Sequence, residues 1–246
     1  MGAITSYAIY SSFYLLSGYL IYKWLMAGEK QLAMNRATLL FIYLTAFLAF
    51  PMTELLRHFT NEVSVDVLSG EITFGTLNMM SMESTNQSIV WATIIVYTYI
   101  AGVIVTAIWS LISYICISRL LSSGRVIEYS DVYNLILLPA GKAAPFSWMN
   151  YIAMTEDDYN NGGDVIIAHE VAHIRHRHCF DLILAQLVCI FQWFNPAAWL
   201  MREELKAVHE FQADDTVLKS GIEPRQYQML LIKKLSALVS SRLPTA

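Results

Sequence analysis

From Ser88 to Ser118 no side chain carries a charge. A helix of that length outruns the roughly 30 Å hydrocarbon core of a bilayer. It predicts a span at about 88–115 that tilts, or runs on beyond the membrane. Residues 1–22 are also uncharged. They lack the basic start and small-residue cleavage site of a signal peptide, so they read as a retained span at about 4–25. Ala37–Thr53 predicts a shorter span at about 37–53, with Pro51 near its end. Composition agrees: 56% of residues are hydrophobic and 15% charged, against roughly 45–50% and about 25% in soluble domains.

Lysine and arginine set the orientation. Lys23, Lys30 and Arg36 follow the first span, and Arg119 and Arg125 follow the third. The segment from Glu54 to Asn86 holds only Arg57 against five acidic residues. The expected arrangement has the N-terminus outside, 26–36 inside, 54–87 outside and everything after Arg119 inside. Residues 1–121 form a transmembrane region and 122–246 a second, cytoplasmic domain. Within that domain Val126–Asp131, Val132–Leu138 and Pro145–Met154 predict strands. Glu156–Gly163 predicts a polar turn, with Asp164 as N-cap of the next helix. The net charge of −4 provides no footprint for nucleic acid. Cys116, Cys179 and Cys189 form no CxxC pair and read as small buried hydrophobes.

Five of the six histidines lie between 169 and 209. His169 and His173 in His169-Glu170-Val171-Ala172-His173 are four apart, which puts both imidazoles on one helix face. Two neutral imidazoles so placed can share one Zn²⁺. Glu170, beside the first ligand, is placed to act as general base toward an activated water. The apolar flanks suit a buried helix.

A catalytic zinc takes a third protein ligand. His176 and His178 follow closely, but a straight helix carries them away from the ion, and no glycine breaks it between 173 and 178. They read instead as solvated or interfacial residues beside Arg175 and Arg177. Glu210 is the better candidate, with Asp214 on the same face of its helix placed to orient a ligand histidine through its free ring N–H. His209 is rotated away and reads as outside the ligand set. The three ligands must lie on one side of the membrane, yet the apolar stretch 182–201 separates them. It is therefore expected to enter and return as a re-entrant hairpin, turning at Asn195-Pro196, or to be buried domain core. Trp193 and Trp199 suit an interfacial depth.

Three early spans, then the 169–178 segment, then Phe191–Trp199, then Glu210–Asp215, resemble the BlaR/MecR-type membrane metallopeptidases over nearly the whole chain, most specifically 145–219. The resemblance implies a mainly α membrane protein whose cytoplasmic α+β domain is gluzincin-like. It also implies His169, His173 and Glu210 on zinc, Glu170 as catalytic base and Asp214 in support. The implied role is signalling by cleavage of a repressor or of the chain itself, as in an antibiotic response. The implied partners are the lipid bilayer and a protein substrate; self-association fits the same picture, and no direct nucleic-acid contact is expected. Sensor-type members continue into a fourth span and a penicillin-binding domain, whereas this chain runs to Ala246 after an expected amphipathic helix at 227–241. β-Lactam sensing is thus not implied. Two other readings stand beside this one: a housekeeping membrane protease of the HtpX or CAAX-prenyl-protease kind, and a transducer with structural zinc.

Overall fold

The computed structural model describes residues 2–26, 31–61, 82–139, 143–223, 225, 227 and 229. The expected outer segment around 62–81 and most of the expected helix at 227–241 lie outside the described residues. Two compact units interleave along the chain.

The first unit comprises 1–28, 37–110 and 184–202. It takes in α1 (Gly2–Leu25), most of α2 (Leu32–Asn61) and the first part of α3 (Met82–Ser122). It also holds the end of α6 (His178–Phe191) and the start of α7 (Pro196–Lys219). Among the described residues, one helical stretch, Thr93–Ser122, is long and apolar enough to cross a membrane. Trp91, Tyr97, Val105 and Trp109 stand exposed on α3, and an apolar face that wide needs lipid or protein cover. The shorter apolar helices Leu32–Leu48 and His178–Phe191 fall below that length.

Close packing and polar pairs specify which of these helices meet. Tyr43 Oη donates to the Ala198 carbonyl at 2.7 Å, Tyr99 Oη to the Phe191 carbonyl at 3.0 Å, and Gln186 Nε2 to Ser110 Oγ at 2.7 Å. Gln192 Nε2 donates to Ser11 Oγ. A Cβ on Gly102 would lie 2.1 Å from the Trp193 indole, so only glycine admits that ring. The chain turns at 192–195. Asn195 Oδ1 caps α7 by accepting from the Ala197 N–H at 3.0 Å, and Pro196 takes the first helical position, where its missing N–H costs nothing.

The second unit comprises 29–36, 111–183 and 203–246. Its sheet has the order β1-β2-β4-β3, from β1 (Arg125–Tyr129), β2 (Asn134–Leu138), β3 (Phe146–Trp148) and β4 (Tyr151–Thr155). β2 runs parallel to β4, and the other pairs are antiparallel. Alternating side chains of β2 supply two cores. Leu135 packs with Ile152, Met154 and Ile166 of α5 (Gly163–Arg175). Ile136 and Leu138 pack with Ala153 and the α3 residues Leu120 and Leu121.

Several expectations change here. The single strand expected across 145–154 is a hairpin, because the chain reverses at Met149-Asn150 with Met149 at φ 52°. No glycine marks that turn. The polar stretch 156–163 contains a short helix, α4 (Glu156–Asn160), whose cap is Thr155. Gly162, at φ 116°, occupies the N-cap of α5, and Asp164 sits in its first turn, where a carboxylate favours the helix dipole. Of the cysteines only Cys189 is buried; Cys116 is exposed and Cys179 half-buried.

The entry from α3 into β1 is tight. A Cβ on Gly124 would lie 2.3 Å from Ile136 Cγ2 and 2.8 Å from the Leu137 carbonyl oxygen. Backbone cannot yield as a side chain can, so Gly124→Ala is expected to destabilise the second unit by roughly 1–3 kcal/mol. A thermal melt of the purified protein reads the loss as a lower midpoint.

Candidate metal centre

Burial of Val165, Ile166 and Ala172 fixes the rotation of α5, and with it the positions of His169 and His173 one turn apart. α7 presents Glu210 and Asp214 at the same spacing. The two histidine Nε2 atoms lie 3.1 Å apart. Glu210 Oε2 is 3.3 Å from His169 Nε2, and Glu210 Oε1 is 3.8 Å from His173 Nε2. Among the described residues, these three form the one group of histidine, cysteine or acidic side chains whose ligand atoms converge within 4.8 Å. A tetrahedral zinc with bonds of about 2.0–2.1 Å separates its donors by about 3.3–3.4 Å. The three observed distances, two of them to different oxygens of Glu210, bracket that value. Two imidazole nitrogens and one carboxylate oxygen are also the donor types and number of a catalytic zinc.

Around the donors sits a second layer. His169 Nδ1 is 2.9 Å from Tyr227 Oη and 3.2 Å from Asp214 Oδ1, and Tyr227 Oη donates to Asp214 at 2.5 Å. A metal ion on Nε2 would leave the ring proton on Nδ1, which then donates. Burial alone would depress His169. Hydrogen bonds to Asp214 and Glu210, with the charges of Glu170 and Glu210, outweigh it and raise its pKa to about 9. Three carboxylates therefore make this a seat for positive charge. Burial and the neighbouring His169 hold His173 down to about 4, a neutral imidazole. The hydrogen bond from His169 keeps Glu210 ionised below the usual carboxylate range. Burial pushes the Tyr227 phenol up, and Asp214 adds to it, so its proton stays in place. Glu170 is buried on α5 next to His169, 5% exposed.

The histidine cluster departs from the sequence reading. α5 does not continue straight. It ends at Arg175, and Arg177 adopts the left-handed region at φ 57° without being glycine. That reversal starts α6 at His178 and turns its ring back beneath the centre. His178 is 2% exposed, not solvated, and its Nδ1 is 2.8 Å from His173 Nδ1. Its Nε2 is 3.2 Å from Gln212 Oε1. Burial holds His178 well below the usual imidazole range, with His209 adding to the effect. His176 reaches Thr216 Oγ1 at 3.0 Å.

His209 lies outside the ligand set but is fully buried. It stacks on His178 with ring centroids 3.9 Å apart and 7° between planes, and it pairs with Asp181 Oδ2 at 2.9 Å. Arg36, from the 29–36 segment, binds the same Asp181 oxygen at 2.7 Å and the His176 carbonyl at 2.7 Å. The sequence reading gave Tyr227, Asp181 and Gln212 no role at the site and used Arg36 only for orientation. The spacing held one signal: His178 and Asp181 on α6, and His209, Gln212 and Thr216 on α7, recur three or four apart, so each set lines one face.

Residues 147–244 match the family model described as BlaR1 peptidase M56. That match supports a BlaR1/MecR-type peptidase family for this segment. M56 is a zinc metallopeptidase family, and its BlaR1-type members are membrane-associated. The matched M56 stretch takes in β3, β4, α4 to α7 and every residue of the donor triangle. The resemblance expected over nearly the whole chain is thus matched from β3 onward. Comparison with curated proteins finds no match.

Because Asp214 and Tyr227 together hold His169 Nδ1, Asp214→Ala is expected to weaken zinc binding by about 10–100-fold. Tyr227→Phe, which leaves the carboxylate in place, costs less. Competition against a calibrated chelator measures both, and an unchanged Asp214→Ala affinity contradicts the assignment.

Proposed function

We propose that the chain is a membrane-embedded zinc endopeptidase in which His169, His173 and Glu210 hold the ion, Glu170 is the base and Asp214 supports His169. The observation that carries this reading is the donor triangle formed by α5 and α7 with Glu170 buried beside it. The bound ion would polarise the scissile carbonyl and bring the pKa of a water near ~7. Glu170 would accept the proton of the attacking water as the C–O bond forms by addition to the carbonyl, and return it to the amide nitrogen, so that the C–N bond breaks as the carbonyl re-forms. Asp214 and Tyr227 keep His169 in the tautomer that offers Nε2. Glu210 is 62% exposed on its side chain, so a polypeptide can approach the triangle from that side.

The biological reading is regulatory proteolysis of a repressor, of the chain itself, or of both, in an antibiotic-response-like pathway. Its support is the match to the BlaR1 peptidase family, which also disfavours the housekeeping-protease alternative. The proposed setting is the cell membrane, multi-pass, with the N-terminus outside and the centre at the cytoplasmic face. Its support is the distribution of lysine and arginine and the apolar stretch Thr93–Ser122.

Two experiments test these statements. Metal analysis should find about one zinc per chain, lost in His169→Ala and Glu210→Ala but kept in Glu170→Gln. Glu170→Gln should lower peptide-bond cleavage by about 10²–10⁴-fold; full activity there removes Glu170 from the mechanism. For topology, Asp164→Cys and Asp215→Cys, introduced where the native cysteines are serine, should both be labelled from the cytoplasmic side. Labelling from opposite sides rules out the turned-back 182–201 segment.

A further inference from the structure

We propose that His178 is the positioning residue for the ligand His173: a neutral imidazole that accepts the hydrogen bond from His173 Nδ1 and so holds the metal-binding tautomer. The inference rests on the metal-centre reading above and extends it to a residue outside the donor triangle. The argument is one of hydrogen-bond direction. His173 Nε2 points into the triangle, 3.1 Å from His169 Nε2, and a nitrogen that ligates carries no proton. In a neutral imidazole the proton is then on Nδ1. Across 2.8 Å, His178 Nδ1 must accept it. The proton of His178 is thereby placed on Nε2, which faces the acceptor Gln212 Oε1 at 3.2 Å. One tautomer choice satisfies the whole relay.

The surroundings hold the ring for this task. His178 lies flat on His209, whose Nε2 donates to Asp181. Arg36 ties Asp181 to the His176 carbonyl, one residue before the left-handed Arg177 that turns His178 back. The two ligand histidines are thus held differently. His169 leans on a carboxylate and a phenol; His173 leans on another imidazole. A neutral acceptor orients the ring without adding a charge to a site that already holds Glu170, Glu210 and Asp214.

The test uses the full chain in detergent or nanodiscs, with zinc affinity read by chelator competition and the Co²⁺-substituted protein read by its visible absorption. His178→Phe keeps a flat ring and removes the acceptor; zinc affinity should fall by about 10–100-fold, with a changed Co²⁺ spectrum. His178→Asn restores an acceptor near the Nδ1 position and should recover most of the affinity. Gln212→Leu, which leaves both histidines in place, should also weaken zinc and covers the case in which the phenylalanine variant does not fold. Wild-type affinity in His178→Phe, or an asparagine variant as weak as the phenylalanine one, overturns the proposal. Wild-type affinity in Gln212→Leu also overturns it. A wild-type chain that binds no zinc removes the metal-centre reading itself, whereas a zinc-binding wild type matched by His178→Phe removes this inference alone.

Discussion

Two helices must hold three donor atoms a little over 3 Å apart without letting them close on one another. α5 supplies His169 and His173, and α7 supplies Glu210. Left alone, the charged and polar groups there would pair among themselves. The two histidines are also tied from behind: His169 by Asp214 and Tyr227, His173 by His178. The rest of the second unit serves that tension. The sheet fixes the rotation of α5 through Ile166, and Val165 joins Val217 of α7 and Tyr227 in a small apolar cluster behind the site.

The reversal at Arg177 matters for the same reason. A non-glycine residue in the left-handed region costs on the order of 1 kcal/mol. The strain persists because both sides of the turn are held. Arg36 grips the His176 carbonyl before it, and His178 is stacked and hydrogen-bonded after it. The consequence is chemical: an uninterrupted helix would carry His178 past the centre, and the turn puts it beneath His173. The first unit uses a related device, where Gly102 admits the Trp193 indole and a few polar pairs tie the 184–202 turn to α1, α2 and α3.

Much of this was legible along the chain. The i,i+4 spacing of His169 with His173, and of Glu210 with Asp214, already implied two helix faces that could meet, and they do meet. The turn at 192–195 was legible from Asn195-Pro196, because asparagine caps and proline starts a helix. The hairpin at Met149-Asn150 was not, since no glycine or proline announces it. Nor was the burial of His178 and His209. Reading α5 as a straight helix sent His178 toward solvent, and the absence of a glycine hid the break.

Sequence by itself determined the chemistry on offer: which side chains can ligate, which carboxylate follows a ligand, and which stretches are too apolar for water. Those properties are local, set by residue type and by the periods of helix and strand. Tertiary structure alone decided the second layer beyond Asp214. The links from Tyr227 to His169 and from Gln212 to His178, and the Asp181 pairings with His209 and Arg36, join residues far apart in the chain. No periodicity encodes such pairs; they exist because the packing of α5, α6 and α7 brings buried polar groups together, and a buried polar group must find a partner.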